Sequence, residues 1–498
     1  MKDEKKRRLS VAIFAFYFSW LLAFLFEGRV FYALASRYQV DAYGMVFAAL
    51  VSHFAGLALC GFFIHSILVA RKFLMGSILF CIMGSFLFFF PPSILWQIGL
   101  SVMAFITGGA VSAWGYYYKR FTLPGDRLGT AAEGLIYSNL LMIVINMITS
   151  LFFDYAGFIL SICMLLVAFF LVIRLPVKSN MEGQYGIPEL STGINDRKTQ
   201  GGFLESSKKY LYRSLFLLYL FIMIITVNSG LMYQVITPAF LHHKILVSWY
   251  WAVPYIVSLY LMKSFLYKRN RAYFLYIAIA MIGFCFIFFM VLDRSAISFL
   301  VVNTLMLGAY GIYDLFWWSI LGEMIELEDN PARMLGIGLS ANVFGVLAGG
   351  ILGRTITTPG IPLHYITLLA FGMILITFML LPLLHRELSS VLKNHIYLSL
   401  GEKRQSEFIR EDPSIDQNGK EGKKNEQQNE ITNEMLSKLP LTEREIQIVS
   451  LLCNGRTYKM IAEELFLSEN TIKTHIKNIY SKLNITSKTE LIHLMSAK

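Results

Sequence analysis

Long apolar runs recur along the chain as far as about residue 384, with short polar breaks between them. Each is close to the twenty residues that an α-helix needs to cross the hydrocarbon core of a bilayer. The pattern predicts spans at 9–34, 43–66, 73–91, 94–117, 133–153, 155–173, 214–238, 246–266, 272–291, 296–321, 335–356 and 362–384. These are twelve, in two groups of six around a polar stretch at about 176–212. Two breaks are thin: Pro91-Pro92-Ser93, and the single Asp154.

From His385 the pattern changes. Arg386 to Leu400 reads as an extension of the last helix, but residues 401–434 are polar, with NGKEGKKNEQQNE at 418–430. Such a stretch has too little apolar surface to fold alone and predicts a solvated linker. From Leu439 a helical period returns in short segments. Thr442 followed by Glu445 is a capping box, and Ile446, Val449 and Leu452 then share one face. Gly455 is a helix stop signal. TYKMIAEELF predicts a second short helix with Ile461, Ala462 and Leu465 inward. Ser468 caps a third, on which Ile472, Ile476, Ile479 and Leu483 recur at helical spacing. Ser487 and Glu490 form another capping box and open a fourth.

The second and third of these helices are joined tightly, as in a helix-turn-helix. With the isoleucines inward, the opposite face of the third helix carries Thr471, Lys473, Thr474 and Lys477. Lysine suits guanine acceptors and phosphates, so the expected partner is DNA. His475, on the same helix, reads as a packing or phosphate-contacting residue and not as a catalyst.

Composition agrees with a membrane protein. The 498 residues are 56% hydrophobic and 15% charged, whereas soluble domains are about a quarter charged. The formal net charge of +11 points first to cytoplasmic loops and then to nucleic acid. Alternate loops on one side hold Arg71, Lys72, Lys119, Arg120, Arg127, Lys263, Lys268, Arg269, Arg271 and Arg333. The other side holds Arg37, Lys244, Arg294 and Arg354. The richer side is the expected cytoplasmic one, and an even number of spans returns the C-terminus to it. The apolar run Leu9–Phe26 exceeds a normal signal core, so MKDEKKRR reads as the lead of an uncleaved first span. None of the five cysteines has a partner at metal-ligand spacing, and neither a disulfide nor a metal site is expected. With no nucleophile triad, phosphate-binding glycine loop or cofactor motif in view, an enzyme is not expected.

The segment LTEREIQIVSLLCNGRTYKMIAEELFLSENTIKTHIKNIYSKLNITSKTELI closely resembles the LuxR/NarL-type DNA-binding domain over about 439–494. Leu441, Thr442, Arg444, Glu445, Gly455, Ile461, Ala462, Leu467, Ser468, Thr471, Ile472, Lys473, His475, Ile479, Lys482 and Leu483 carry the likeness. It implies DNA contacts from Lys473, Thr474 and Lys477, and dimer contacts from the last helix. The six-plus-six arrangement resembles the major facilitator superfamily in architecture. The loop after the second span, GFFIHSILVARK, keeps Gly61 but has His65 where that family's gate motif has aspartate. The whole chain resembles membrane-bound LuxR-type regulators of bacteria.

Ionisable groups inside a bilayer are costly and usually face a partner or a cavity. Glu27, Arg29, His53, Glu133 and Asp314 are the candidates, with Trp317 one turn from Asp314 as an aromatic wall. Their functional reading is a small-molecule pocket; the alternative is ion pairing between spans, and for His53 a satisfied core histidine. Ala341, Gly345, Gly349 and Gly353 form a small-residue stripe for close helix packing.

The expected fold is all-α: a polytopic bundle of 6+6 spans at 1–385, a linker at 386–437, and a four-helix LuxR-type domain at 438–498. The expected function is a membrane-embedded one-component transcriptional regulator in the inner membrane with both termini cytoplasmic. Its expected partners are promoter DNA, a small-molecule effector, membrane lipid, a second copy on DNA and RNA polymerase. The alternative is a major-facilitator-type solute transporter with a regulatory DNA-binding tail.

Overall fold

The computed structural model describes residues 2–26, 28–175, 197–265, 272–356, 365, 368–384, 386, 441–453, 458, 461–462, 469–483, 485 and 490–491. Among them there are helices and no strands. The chain divides into two units, Met1–Tyr397 and Leu398–Lys498. The expected linker, residues 386–437, lies almost entirely outside the described residues.

In the first unit eleven helices among the described residues are long and apolar enough to cross a membrane. They are span 1, Glu4–Arg37; span 2, Ala42–Cys60; span 3, Ile67–Phe89; span 4, Ile94–Phe121; span 5, Pro124–Leu151; and span 6, Asp154–Arg174. The second group is span 7, Leu215–Ala239; span 8, Ile245–Ser264; span 9, Phe274–Val291; span 10, Ala296–Met324; and span 11, Pro331–Thr355. A shorter apolar helix, Leu368–Leu384, stands at the place of the expected twelfth span.

The thin breaks are real, and the one at Pro91–Ser93 ends in a cap. Ser93 accepts from the Leu95 N–H and starts span 4, and Asp41 accepts from the Tyr43 and Gly44 N–H groups at the start of span 2. These side chains satisfy helix-end donors that would otherwise be orphaned. Asp154 begins span 6 and lies 3.7 Å from Arg37 at the end of span 1. Two expectations are corrected. Span 1 is not one regular helix: it is α-helical over Lys2–Trp20, widens to a π-turn over Leu21–Phe26, and restarts at Arg29. Span 5 begins near Pro124 and not at 133, because Pro124 opens the turn that leads into the helix from Arg127.

Spans 1–6 pack on one another, as 2 on 4, 1 on 5 and 6, and 3 on 4 and 6. Spans 7–11 do the same, as 7 on 11, 9 on 10 and 8 on 10. The halves meet where 2 and 4 pack on 11 and where 5 packs on 8 and 10. Trp20, Phe24, Phe31, Phe88, Trp96 and Phe158 are buried in the first half with their rings in contact. Large apolar side chains such as Phe63, Met83, Ile94, Val291, Ile297 and Met379 face outward. A hydrocarbon solvent accepts that surface, while the helices satisfy their own backbone.

The small-residue stripe packs as expected. A side chain at Gly345 or Gly349 would run into the backbone of span 7 at Met223 and Val227. Thr226 donates across the same contact to the Asn342 carbonyl, 3.2 Å away.

Candidate functional site

In the second unit, helix Glu443–Cys453 starts with the capping box. The Thr442 N–H and hydroxyl donate to Glu445 Oε2 at 2.8 and 3.0 Å. The same oxygen accepts from Lys482 Nζ at 2.7 Å, which ties this helix start to the end of helix Glu469–Leu483. Burial pushes the Glu445 carboxyl up; the Lys482 ammonium and the Thr442 donors outweigh that and hold it below the usual carboxylate range. Ile448, Val449, Leu452, Ile461, Ala462, Ile472, Ile476, Ile479 and Leu491 form a separate core. Ile446, expected inward, sits at the rim of that core, and Ile448 takes the buried place beside Val449. The second and fourth expected helices, with Gly455, Leu465, Ser468 and Ser487, lie largely outside the described residues.

The isoleucine stripe turns the other face of Glu469–Leu483 outward. Lys473, Thr474 and Lys477 are exposed together on it, while Thr471 and His475 are half-buried at its edges. Two ammonium groups and a hydroxyl on one helix face suit phosphate oxygens and base-edge acceptors in a major groove.

The membrane candidates are spread over several helix contacts. Glu27 lies outside the described residues. Arg29 begins the second part of span 1, and its N–H donates to Asn146 Oδ1 on span 5 at 3.0 Å. His53 is buried between spans 2 and 4, with Nδ1 3.0 Å from the Ala104 carbonyl and 3.2 Å from Thr107 Oγ1. Those are the surroundings of a satisfied core histidine. Glu133 accepts from Arg7 at 2.9 Å with one oxygen and from Lys263 at 2.8 Å with the other. Asp314 accepts from the Tyr255 hydroxyl at 2.8 Å, linking spans 10 and 8. Trp317 is buried against Trp318, and its indole N–H has no hydrogen-bond partner among the described residues.

Sequence reasoning missed a set of contacts that joins the halves at the end of the bundle where Arg7 lies. Arg127, at the start of span 5, is fully buried and donates to the Gly322 carbonyl and the Glu326 carboxylate at the end of span 10. Lys119 donates to the Glu328 carbonyl at 3.1 Å, and Asn330 to the Gly61 carbonyl at 2.9 Å. Arg7–Glu133–Lys263 joins spans 1, 5 and 8. In sequence these lysines and arginines are legible only as topology signals, because their partners stand 126 or more residues away.

Residues 439–495 match the family described as "Bacterial regulatory proteins, luxR family". Over 50 residues the chain is 50% identical to the transcriptional regulatory protein LiaR of Bacillus subtilis. Over 59 residues it is 46% identical to the HTH-type transcriptional regulator MalT of Vibrio campbellii. These matches take in 10% and 12% of this chain, and only 24% and 6% of those proteins. The remainder has structural neighbours. The human organic anion transporter MFSD10 (TETRAN) superposes with TM-score 0.54 at 13% identity, over 76% of this chain and 98% of that one. A bacterial homologue of the iron transporter ferroportin gives 0.55 at 13%, over 78% and 100%. The proton:xylose symporter XylE of the major facilitator superfamily gives 0.56 at 13%, over 75% and 94%. The chain thus joins a multi-pass helical membrane part with the fold of major facilitator transporters to a C-terminal LuxR-type helix-turn-helix domain.

Proposed function

We propose that this protein is a membrane-embedded one-component transcriptional regulator. One observation carries the reading: a single chain holds both a facilitator-type bundle and a LuxR-type domain whose third helix exposes Lys473, Thr474 and Lys477 together. The termini are cytoplasmic, the membrane is the inner one, and the domain reads promoter DNA as a dimer and meets RNA polymerase there. An effector binds the bundle and shifts it between two arrangements.

The charged contacts between the halves supply a two-state element. Closed, they hold spans 1, 5, 8 and 10 together at the end that carries the N-terminus. An effector shifts such an equilibrium only by binding one arrangement better than the other, and tenfold better is about 1.4 kcal/mol. Arg29 and Asp314 are the sensor residues of this reading, since a buried polar group that loses its partner costs about 1–3 kcal/mol. The test is a chromosomal reporter driven by the promoter that the C-terminal domain binds, dosed with a compound library. Arg29→Gln and Asp314→Asn should shift its midpoint or amplitude at unchanged membrane protein level. Dose–response curves that match the parent would remove the sensor assignment.

The likeness to three transporters favours a second reading, a solute transporter with a regulatory tail. Uptake by the purified chain in reconstituted vesicles separates the two, because only the second reading requires net solute flux.

A further inference from the structure

A cavity of about 360 Å³ opens between spans 2 and 11, lined by Tyr43, Phe47, Gly350, Ile351, Arg354 and Thr355. It lies at the end of the bundle away from Arg7 and Arg127. Tyr43 follows the turn that ends span 1, and Arg354 ends span 11, whose first residues pack beside Gly61 and Gly115.

The walls differ from an ordinary packing gap. Tyr43 is fixed on two sides: the Gln234 amide donates to its hydroxyl, and the Arg354 guanidinium stands 5.7 Å from its ring centroid. That distance is within cation–π range. Gln234 comes from the π-turn Met232–Ile236 in span 7, a kind of insertion that recurs at functional sites. Gly353 admits it, since a Cβ there would stand 2.7 Å from the Gln234 Cβ. Gly350 is different from its stripe neighbours: a Cβ added to it meets nothing within 4 Å. The backbone there borders open space and not a packed helix.

We infer that this cavity binds a small organic monoanion with one ring. The ring fits between Tyr43, Phe47 and Ile351, and the carboxylate meets the Arg354 guanidinium. The Thr355 hydroxyl already donates to the Ile351 and Leu352 carbonyls, at 2.7 and 3.0 Å. Among the described residues no acid lines the cavity. Nearby Asp41 engages Oδ1 in the cap of span 2. A few placed polar groups on an otherwise apolar wall are what a small-molecule site needs.

The site spans the seam between the halves, with spans 2 and 11 as walls and span 7 holding Tyr43. A bound anion therefore favours the arrangement in which these spans meet at this end. This rests on the reading of the bundle as a sensor and adds to it a ligand site whose lining includes neither Arg29 nor Asp314.

The experiment uses the full chain in detergent, with sodium benzoate and sodium phenylacetate as probes and benzyl alcohol as the uncharged control. Thermal melting should show a saturable rise with at least one of the two anions and a rise at least tenfold weaker in apparent affinity with the alcohol. Arg354→Gln should weaken the anion's apparent affinity tenfold or more. Gly350→Phe, which puts a ring into the space that borders Gly350, should do the same, and Gly350→Ala, whose added Cβ meets nothing within 4 Å, should leave the unliganded melting temperature near the parent's. No saturable shift with either anion, an equal shift with the alcohol, or a shift kept in both Arg354→Gln and Gly350→Phe overturns the site. Retention of a promoter fragment by the same preparation is measured in parallel. Its loss with anion binding intact removes the regulator reading and leaves the cavity's ligand class standing.

Discussion

Lys482, in the last turn of the third helix of the C-terminal unit, places its ammonium 2.7 Å from the Glu445 carboxylate at the start of the first. Residues 37 apart thereby fix how the helix that exposes Lys473 and Lys477 sits on the first. Glu445 is only 4% exposed, so its charge depends on the Lys482 and Thr442 donors. Glu445→Gln should destabilise a fragment spanning 430–498 by on the order of 1–2 kcal/mol, from a weakened cap and a missing charged hydrogen bond. Thermal melting of the two fragments at pH 7 measures this.

The same ion pair sets a pH dependence. The folded carboxyl titrates below its usual range, so its contribution is complete above the unfolded value, about 4.3. It is lost as pH falls through the lower folded value. Stability of the fragment should therefore hold from pH 7 to about 5 and drop below about 4. Melts of Glu445→Gln should lack that part of the acid loss; a parallel drop in both proteins would assign it to other carboxylates.

Lys473→Ala and Lys477→Ala test the outward face of the helix. If the lysine meets a base, its removal should cost about 1–3 kcal/mol and relax specificity. If it meets a phosphate, removal should weaken binding to all sequences and lower the salt slope by about one. Fluorescence titrations of the fragment at several salt concentrations distinguish these, and unchanged binding in both variants would place another face in the groove.

Arg127 is a buried cation whose partners belong to the other half of the bundle. Removing one partner of such a pair costs roughly 3–5 kcal/mol. Glu326→Gln should therefore lower the melting temperature of the full chain and favour separation of spans 5 and 10. Cysteine crosslinking between the start of span 5 and the end of span 10 reads the separation, and an unchanged crosslinking yield would count against a two-state element there.

The glycine stripe gives a packing prediction with its own control. Gly349→Ala pushes a methyl group into the Val227 carbonyl and should cost about 1–3 kcal/mol. Gly350→Ala, one residue on, faces open space and should leave the melting temperature near the parent's.

Much of the fold is legible in the sequence because its signals are local. Span length and the isoleucine spacing at 472, 476 and 479 each lie within one helix. The Thr442–Glu445 box is readable for the same reason. The π-turns at Leu21–Phe26 and Met232–Ile236 are not, since an apolar run has no period that marks an extra residue. The partners of Glu133, Arg127 and Lys482 are not either, because each is chosen by packing across the chain. Nor is the cavity: Arg354 stands at the end of a span, where in sequence a cation carries only a topology signal.

The proposed function requires this chain to read DNA while remaining in the membrane. Crosslinking the full chain to the chromosome in cells, isolating the membrane fraction and sequencing the attached DNA tests that property itself. A small set of enriched promoter sites is expected from the membrane fraction, and it should vanish in the Lys473→Ala, Lys477→Ala double variant at equal membrane protein level. Absence of any enriched site, or the same sites at the same enrichment in the double variant, would contradict membrane-bound DNA reading.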